Sequence, residues 1–390
     1  MIARGVAEVL QKHFYDPQMK GVDWKKALAD AESKINATDR VGEMYGAIDE
    51  MVLQLDDSHT RFIPPEQTRQ PKFGFQLKPF GNATRIYKIQ ETGPAAQAGL
   101  KLGDTIVGID GVPADRKHYF HTLIYYRFIQ PEEVMVVDVL VDGIPKRLTL
   151  QAELPTRLAA VEAGDHAYFL DRVREAEILS KETPFQSERY GDVGYVRIPS
   201  FETDRAERAL WKVKDARALV VDLRGNLGGS TEVLERFAGY FHKDNTEIMK
   251  AAFRGKSESV IAKPHTPSFW DVPLVVLVDS ESASASEIFA RHIQLTGRGM
   301  VIGDKTMGAV SVAQYFPQTI GINPFVPYGV ETTVARAIFP DNQDLEKVGV
   351  TPDKMCIPSA YALAQKKDPC LDMAMTTLKE KLNPPAAAQK

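Results

Sequence analysis

Residues 275–290 read VVLVDSESASASEIFA, and this stretch predicts a buried strand, a tight turn and a helix. It opens on an apolar, largely β-branched run of strand length, and after Ser286 apolar residues recur at helical spacing. A serine on such a turn presents its hydroxyl to solvent, while the free N–H groups of the helix start favour negative charge. The pattern predicts a nucleophilic serine, although a serine ahead of Glu287 also matches the capping box of an ordinary helix.

Composition excludes two classes of protein. A chain of 390 residues, 44% hydrophobic and 26% charged, has the length of two or three domains and the composition of a globular protein. With 48 basic and 52 acidic residues the net charge is −4, and no basic run carries interleaved aromatic residues, so we expect no nucleic-acid partner. No apolar run approaches the ~20 residues of a membrane-spanning helix, so we expect no integral membrane segment. The oligomeric state cannot be predicted from the sequence.

Two cysteines, Cys356 and Cys370, lie near the C-terminal end of the sequence. They can form a disulfide, which would favour an oxidising compartment, or remain two buried thiols. Their spacing does not decide between these alternatives. Without a nearby histidine they do not predict a zinc site.

The N-terminal region, residues 1–65, is predicted to be helical. Near its end lies His59, which is flanked by residues with hydroxyl and carboxyl groups. After that helical pattern, residues 56–62 read DDSHTRF, and a proline pair then ends regular structure. His59 in this setting is a candidate general base, although a lone histidine of this kind is more often a surface or capping residue. A cation site made by Asp56, Asp57 and His59 is a weaker alternative, because the spacing matches no ligand pattern.

Residues 71–155 have the pattern of short strands and resemble a PDZ domain. The resemblance is carried by a Gly-Phe-x-Leu loop at 74–77, a Pro-Ala-x-x-Ala-Gly-Leu helix start at 94–100 and a Gly-Asp-x-Ile-x-x-Ile-Asp-Gly hairpin at 103–111. PDZ domains bind an extended peptide by strand addition, and backbone N–H groups hold its C-terminal carboxylate. The alternative is a module that only packs against its neighbour. The resemblance implies a carboxylate-binding loop formed by Gly74, Phe75 and Gln76.

An α/β pattern extends over residues 190–358, and a C-terminal helix is predicted over 359–383. Within it a buried strand, ALVVDL at 218–223, runs into the glycine-rich stretch RGNLGGS at 224–230. Glycines at a strand end let the backbone approach a ligand closely, so their N–H groups predict half of an oxyanion hole. A nucleotide phosphate loop is excluded because neither GxxxxGK[ST] nor GxGxxG is present, whereas a plain tight turn remains an alternative.

Taken in order, these pieces resemble the tail-specific or C-terminal processing proteases of peptidase family S41. The matching features are the LDDSH sequence after the N-terminal helices, the PDZ domain, the DLRGNxGG strand end, the SASASEI turn and the sequence VGVxPD at 348–353. The resemblance implies an α/β multidomain fold, with a helical N-terminal region, a PDZ domain and a mixed-sheet serine protease core. It also implies a serine endopeptidase that cleaves protein or peptide substrates held at their C-terminal ends by the PDZ domain, without a metal or organic cofactor.

The resemblance raises the question of which base activates the serine. Family members of the Ser–Lys type have the nucleophile at the middle serine, here Ser284, and a lysine where this chain has Ala309. A serine hydroxyl is a weak nucleophile without a neighbouring base. The sequence Ser58-His59 instead resembles the histidine-using branch of the family, similar to the tricorn protease core, in which a late glutamate completes the site.

The histidine-using branch, which we favour, implies a full set of site residues. His59 takes the proton from Ser284, and Glu346 holds the histidine tautomer and stabilises the imidazolium, acting through Ser58. Glu331 is the second choice for this glutamate. The implied oxyanion donors are the backbone N–H groups of Ala285 and of Gly228 or Gly229.

Two further interpretations follow from the missing lysine. One is a disabled Ser–Lys protease with Ala309 in place of its base, since Lys305 lies four residues too early to serve instead. The other is a non-catalytic member that binds peptides or apolar ligands, although the intact serine turn argues against it. The habit of the family implies the bacterial periplasm or cell envelope, reached after a signal peptide has been removed.

Overall fold

The structure is a computed structural model and describes residues 1–65, 71–125, 129–141, 143–154, 184–321 and 326–383. These residues form two compact units. One contains the described residues of Met1–Ala176 and Ser311–Arg336, and the other contains those of Glu177–Val310 and Ala337–Lys390. The last residue predicted for the PDZ domain, residue 155, lies outside the described residues.

Three amphipathic helices begin the first unit: α1 (Ile2–His13), α2 (Trp24–Asn36) and α3 (Val41–Leu53). Their apolar faces pack around one buried core. The short strand β1 (Arg61–Ile63) follows and pairs antiparallel with β16 (Val326–Ile338), with Phe62 opposite Val330. The predicted helical region, residues 1–65, therefore ends in a strand, because the side chain of Phe62 belongs to the same core.

The PDZ region forms its own antiparallel sheet in the first unit. Its strands are β2 (Phe75–Phe80), β3 (Ala83–Ile89), β4 (Thr105–Ile109), β5 (Val112–Pro113), β6 (Val134–Val141) and β7 (Ile144–Gln151). The order is β2-β3-β4-β6-β7, and β5 pairs with β4. Two short helices, α4 (Pro94–Gln97) and α5 (Tyr119–Ile124), accompany the sheet. Because β2 ends this order among the described strands, it is the edge to which a peptide strand can be added.

The second unit is built on a largely parallel sheet. Its strands are β8 (Gln186–Tyr190), β9 (Val193–Arg197), β10 (Ala218–Asp222), β13 (Leu274–Val278), β14 (Met300–Gly303) and β17 (Lys354–Met355). Their order is β17-β14-β13-β10-β9-β8, and the described pairs are parallel except β8 with β9. The central strands β10 and β13 are buried along their whole length, as their continuous apolar runs require. Because these two strands are parallel neighbours, the glycine-rich stretch and the serine turn follow them at the same edge.

The described chain contains further helices and strands. They are α6 (Arg205–Trp211), α7 (Thr231–Gly239), α8 (Ala285–Leu295), β11 (Thr246–Phe253), β12 (Lys256–Ala262) and β15 (Val312–Ile320). Helices α7 and α8 pack through Phe237 and Phe289, whose ring centroids lie 5.2 Å apart. The strand, turn and helix predicted for residues 275–290 are present as β13 followed by α8. Among the described residues, no helix is both long and apolar enough to span a membrane.

Two helices replace the single helix predicted over 359–383. They are α9 (Ala360–Ala364) and α10 (Pro369–Leu382). The break follows from Lys366, which has φ +52°, and from Pro369, which lacks an N–H and suits the first position of a new helix. The side chain of Asp368 caps that helix by accepting a hydrogen bond from the N–H of Leu371.

A disulfide joins Cys356, just after β17, to Cys370 in α10. Both cysteines belong to the core that α10 shares with the parallel sheet, together with Ala374 and Leu378. Of the two alternatives that the sequence allows for this pair, the structure contains the disulfide. It ties the C-terminal helix to the sheet that carries the serine turn.

Replacing both Cys356 and Cys370 by alanine should lower the free energy of unfolding by about 3 kcal/mol, because the bond restricts the unfolded chain across a sequence separation of 14. Urea unfolding of the parent and the double variant, each with and without reductant, measures this. The parent should lose stability on reduction, and the variant should not respond. A parent whose unfolding midpoint is the same in both conditions would contradict the prediction.

Candidate active site

Ser284 sits at the junction of the serine turn and α8 in a backbone conformation that residues other than glycine rarely adopt. Its φ is +53° and its ψ is −120°. Such a conformation costs on the order of 1–3 kcal/mol and persists only where surrounding contacts impose it. Those contacts are present, because the N–H of Ser284 lies 2.6 Å from the carbonyl oxygen of Ala309 and 3.2 Å from Oε2 of Glu287.

Glu287 is a fully buried carboxylate that ties the serine turn to a neighbouring loop. Besides the N–H of Ser284, it accepts hydrogen bonds from the hydroxyl of Thr306 at 2.5 Å and from the N–H groups of Gly308 and Ala309, each at 2.7 Å. Burial raises the pKa of Glu287 to about 7, although these donors act in the opposite direction. The capping box predicted from the sequence is present, and its glutamate also holds the segment that contains Ala309.

Gly228 lies directly against Ser284. A Cβ on Gly228 would stand 2.6 Å from the Cβ of Ser284, and its φ is +108°, so only glycine fits there. Its N–H donates to Oδ1 of Asn226 at 2.8 Å, and its carbonyl accepts from the N–H of Phe201 at 2.7 Å. Because N–H and C=O point to opposite sides of a trans peptide, the N–H of Gly229 points away from Phe201.

The three predicted oxyanion donors differ in whether their backbone N–H groups are already engaged in hydrogen bonds. The N–H of Gly228 is already engaged by Asn226. The N–H of Ala285 belongs to the first residue of α8, so it has no acceptor within the helix. Of the three predicted donors, the structure therefore engages one, the N–H of Gly228, in a hydrogen bond to a side chain.

A buried charge network supports the strand that leads into the glycines. The carboxylate of Asp222 is fully buried and accepts from the guanidinium of Arg224 and from the hydroxyl of Tyr195. Burial opposes its ionisation, but the charge of Arg224 outweighs this effect and lowers the pKa of Asp222 to about 2. Arg224 also makes two hydrogen bonds to Asp368, the cap of α10. The network thus connects the strand end to the helix that carries Cys370.

His59 lies in the first unit, between α3 and β1, with one ring nitrogen engaged. Its Nδ1 is 3.0 Å from the hydroxyl oxygen of Ser58. When Nδ1 carries the proton and donates a hydrogen bond to Ser58, the lone pair of Nε2 is available to accept a proton, as a general base requires. The structure thus joins the two predicted residues Ser58 and His59 in one hydrogen bond.

Asp57 holds the His59 segment in place. Its buried carboxylate accepts hydrogen bonds from the backbone N–H of His59 at 3.2 Å, from Thr60 at 2.8 Å and from Thr333 at 2.6 Å. The ammonium of Lys20 lies 3.4 Å away. A carboxylate occupied by these donors supports the segment that carries His59, and it does not form the cation site considered from the sequence.

The two candidate glutamates lie in different surroundings. Oε2 of Glu346 accepts from the N–H of Val310 at 3.3 Å, so this carboxylate lies beside Ala309, whose carbonyl binds the serine turn. Glu331 lies opposite Arg61 on the paired strands β1 and β16 and forms an ion pair with it at 2.5 Å. The structure therefore places Glu346 next to the serine turn and engages Glu331 with an arginine.

The predicted carboxylate loop precedes the edge strand of the PDZ sheet. Gly74 has φ +77°, and a Cβ there would lie 3.2 Å from the Cα of Gly93, while Phe75 and Gln76 begin β2. The hydroxyl of Tyr119, on α5, donates to the carbonyl of Leu77 in that strand at 2.7 Å. We did not predict Tyr119 from the sequence, because its partner is a backbone atom far away along the chain.

Two buried histidines are in contact, and one of them lies on α8, the helix that follows Ser284. Nε2 of His292, on α8, is 2.7 Å from Nε2 of His242. Burial, assisted by the charge of Arg298, lowers the pKa of His242 to about 4. Burial and the neighbouring histidine lower the pKa of His292 to about 3. The helical spacing of His292 among apolar residues was the only sign of this pair in the sequence.

The histidine pair should make the protein sensitive to acid. Unfolded histidines bind protons below pH ~6.5, whereas the folded pair stays neutral down to about pH 4, so stability that is fully present above pH ~6.5 is lost as the pH falls from there toward about 4. Each histidine contributes a slope of about 1.4 kcal/mol per pH unit. Urea unfolding at pH 7.5 and 5.0 should show that the parent loses more stability than His242→Leu/His292→Leu. Equal losses would contradict this.

Comparisons with known proteins agree with this architecture. Residues 192–355 match the profile of "Peptidase family S41", and residues 71–151 match that of "PDZ domain". The carboxyl-terminal-processing protease of Synechocystis is 28% identical over 345 residues, which cover 84% of this chain and 74% of that protein. The carboxy-terminal processing protease CtpB of Bacillus subtilis is 26% identical over 337 residues, which cover 82% of this chain and 64% of that protein.

A solved structure supports the fold independently of sequence identity. The crystal structure of mature CPAF has a TM-score of 0.72 to this chain at 14% identity, covering 99% of this chain and 98% of the other. At this identity the likeness concerns the fold alone. Together with the profile matches and the related sequences, it leads to one conclusion: the chain belongs to peptidase family S41 and is a serine-type peptidase with a PDZ domain.

Proposed function

We propose that the protein cleaves peptide bonds with Ser284 as the nucleophile and His59 as the general base. The observation that carries the proposal is the backbone of Ser284, which has φ +53° at the start of a helix and lies against Gly228. A serine in a strained turn between strand and helix presents its hydroxyl, and an ordinary N-cap has no need of this strain.

The proposed reaction follows the serine–histidine scheme. His59 accepts the proton of the Ser284 hydroxyl as the oxygen attacks the scissile carbonyl, and it returns the proton to the leaving amine. The N–H groups of Gly229 and Ala285 stabilise the oxyanion. Water then hydrolyses the acyl-enzyme with His59 again acting as base.

The contacts of the base and the glutamate support this assignment. The hydrogen bond between Ser58 and His59 can hold the ring in the tautomer that leaves Nε2 as base. Glu346 is our choice for the carboxylate that stabilises the imidazolium, acting through Ser58, since Glu331 is paired with Arg61. With these roles, we propose that the protein belongs to the histidine-using branch of the family.

The second candidate is a disabled Ser–Lys protease, and Ala309 is the observation that favours it. The backbone of Ala309 bonds both Ser284 and Glu287, so a lysine at this position would begin next to the nucleophile. A non-catalytic binding protein is a weaker candidate, because it would not require the strained backbone of Ser284.

Substitution of the proposed nucleophile and base tests this assignment. Ser284→Ala and His59→Ala should each lower kcat/KM by several orders of magnitude, since the members of such a site act as a unit. The measurement is proteolysis of an unstructured reporter protein, with the three proteins prepared together and their folding checked by thermal melting. An inactive parent that gains activity on Ala309→Lys would identify the disabled Ser–Lys protease instead.

We also propose that the PDZ domain holds the C-terminal end of the substrate. The similar sequences from Synechocystis and Bacillus subtilis are named for carboxyl-terminal processing. In this chain, Gly74 precedes an edge strand, and the N–H groups of Gly74, Phe75 and Gln76 are the proposed carboxylate donors.

An amidated substrate tests the PDZ assignment. Amidation removes the negative charge at the C-terminus, so KM should rise by about tenfold or more while kcat changes little, because the lost contact is far from the scissile bond. Steady-state cleavage of two reporter peptides that differ only in this group measures it. Equal KM values would contradict the proposal.

We propose the periplasm or cell envelope as the compartment. The disulfide between Cys356 and Cys370 supports an oxidising environment. Fractionation of cells that express the full-length gene product tests the location, and a protein found in the cytosol with free thiols would contradict it.

A further inference from the structure

We propose that Asn226 is the positioning residue of the oxyanion hole. The inference rests on the proposed function, in which the N–H groups of Gly229 and Ala285 stabilise the oxyanion. Asn226 touches neither the substrate nor the reacting atoms in this scheme. Its role is to set the position of the glycine backbone relative to the serine turn.

The side-chain amide of Asn226 is fully buried, and both its oxygen and its nitrogen form hydrogen bonds. Its Oδ1 accepts from the N–H of Gly228 at 2.8 Å, and its Nδ2 donates to the carbonyl of Ile198 at 2.8 Å. Since Gly228 offers a donor and Ile198 an acceptor, these partners determine which way the amide points. The side chain therefore anchors the glycine peptide to the end of β9.

The backbone of Asn226 binds the serine turn from the other side. Its carbonyl accepts from the N–H of Ala283 at 3.0 Å and from the hydroxyl of Ser286 at 2.9 Å. These two residues flank Ser284 and Ala285. One residue thus contacts the glycine that approaches the nucleophile and the turn that carries it.

These contacts orient the peptide that would donate to the oxyanion. With its N–H held by Asn226 and its carbonyl held by Phe201, Gly228 has both backbone groups engaged. The following N–H, that of Gly229, is therefore directed away from Phe201. Oxyanion donors are effective only when they are held within about 0.5 Å of their working position, so loss of the anchor should affect the transition state more than the bound substrate.

The experiment compares Asn226→Ala and Asn226→Asp with a matched control, Ser282→Ala. Ser282 is also fully buried at the same turn, and its hydroxyl donates to the carbonyl of Leu223 at 2.8 Å. The same hydroxyl oxygen accepts from the N–H of Asp279 at 3.0 Å, so Ser282→Ala removes two hydrogen bonds at this turn, one of them to the strand that leads into the glycines, and leaves the glycine anchor intact. Reporter proteolysis gives kcat and KM, and thermal melting confirms that each variant is folded at the assay temperature.

We expect Asn226→Ala to lower kcat by about 10²-fold to 10³-fold, the range seen when an oxyanion donor is lost, with KM changed by less than about threefold. Asn226→Asp keeps the acceptor for Gly228 and should recover at least about tenfold of that loss. Ser282→Ala should lower the melting temperature while kcat stays within about threefold of the parent. If Asn226 had a purely structural role, its substitution would lower the melting temperature without the large loss of kcat, as expected for Ser282→Ala.

Two outcomes overturn the proposal, and they are distinguishable. If Ser284→Ala is inactive while the folded Asn226→Ala variant falls no further than Ser282→Ala, or while Asn226→Asp falls as far as Asn226→Ala, the role of Asn226 is wrong and the proposed function stands. If Ser284→Ala is as active as the parent, the nucleophile is wrong and the oxyanion hole around it is wrong as well.

Discussion

The strained backbone at Ser284 is the constraint on which the rest of the site depends. A φ of +53° is unfavourable for serine, and it is held because the N–H of Ser284 binds Ala309 and Glu287. The same geometry requires Gly228, because any side chain there would collide with the serine. The small residues, the buried glutamate and the glycine-rich strand end thus serve one local conformation.

The buried charges of the second unit have a clear structural reason. Asp222 and Arg224, at the strand end, are largely removed from water, which is costly unless they are paired, whereas their partner Asp368, at the start of α10, is partly exposed. These ion pairs fix the position of the backbone, because an arginine held by two carboxylates restricts the conformation of the glycines that follow it. The disulfide at Cys370 anchors the same helix, so two different interactions hold the strand end from behind.

Much of the architecture could be predicted because it depends on local pattern. The apolar run before Asp279, the glycines after Arg224 and the loop at Gly74 each imply a backbone conformation without knowledge of distant partners. The resemblance made His59 and its neighbour Ser58 candidate site residues, and their side chains share a hydrogen bond in the structure. The family itself followed from the order of these pieces.

The features that were missed depend on contacts between distant segments. Asn226 lies in the glycine-rich stretch at 224–230, but its partners Ile198 and Ala283 become its neighbours only after the strands pair. For the same reason the sequence could not show that the N–H of Gly228 is engaged by the side chain of Asn226. The break at Pro369 was missed because the helical pattern continues on both sides of it.

Covalent labelling tests the central claim most directly. The measurement is the rate of reaction with a fluorophosphonate probe between pH 5 and 8, with the adduct located by mass spectrometry of the digested protein. We predict a single adduct on Ser284, formed at a rate that rises with the deprotonation of a histidine and that falls by orders of magnitude in His59→Ala. A folded parent that forms no adduct, or one on another residue, would contradict the assignment of Ser284 as the nucleophile.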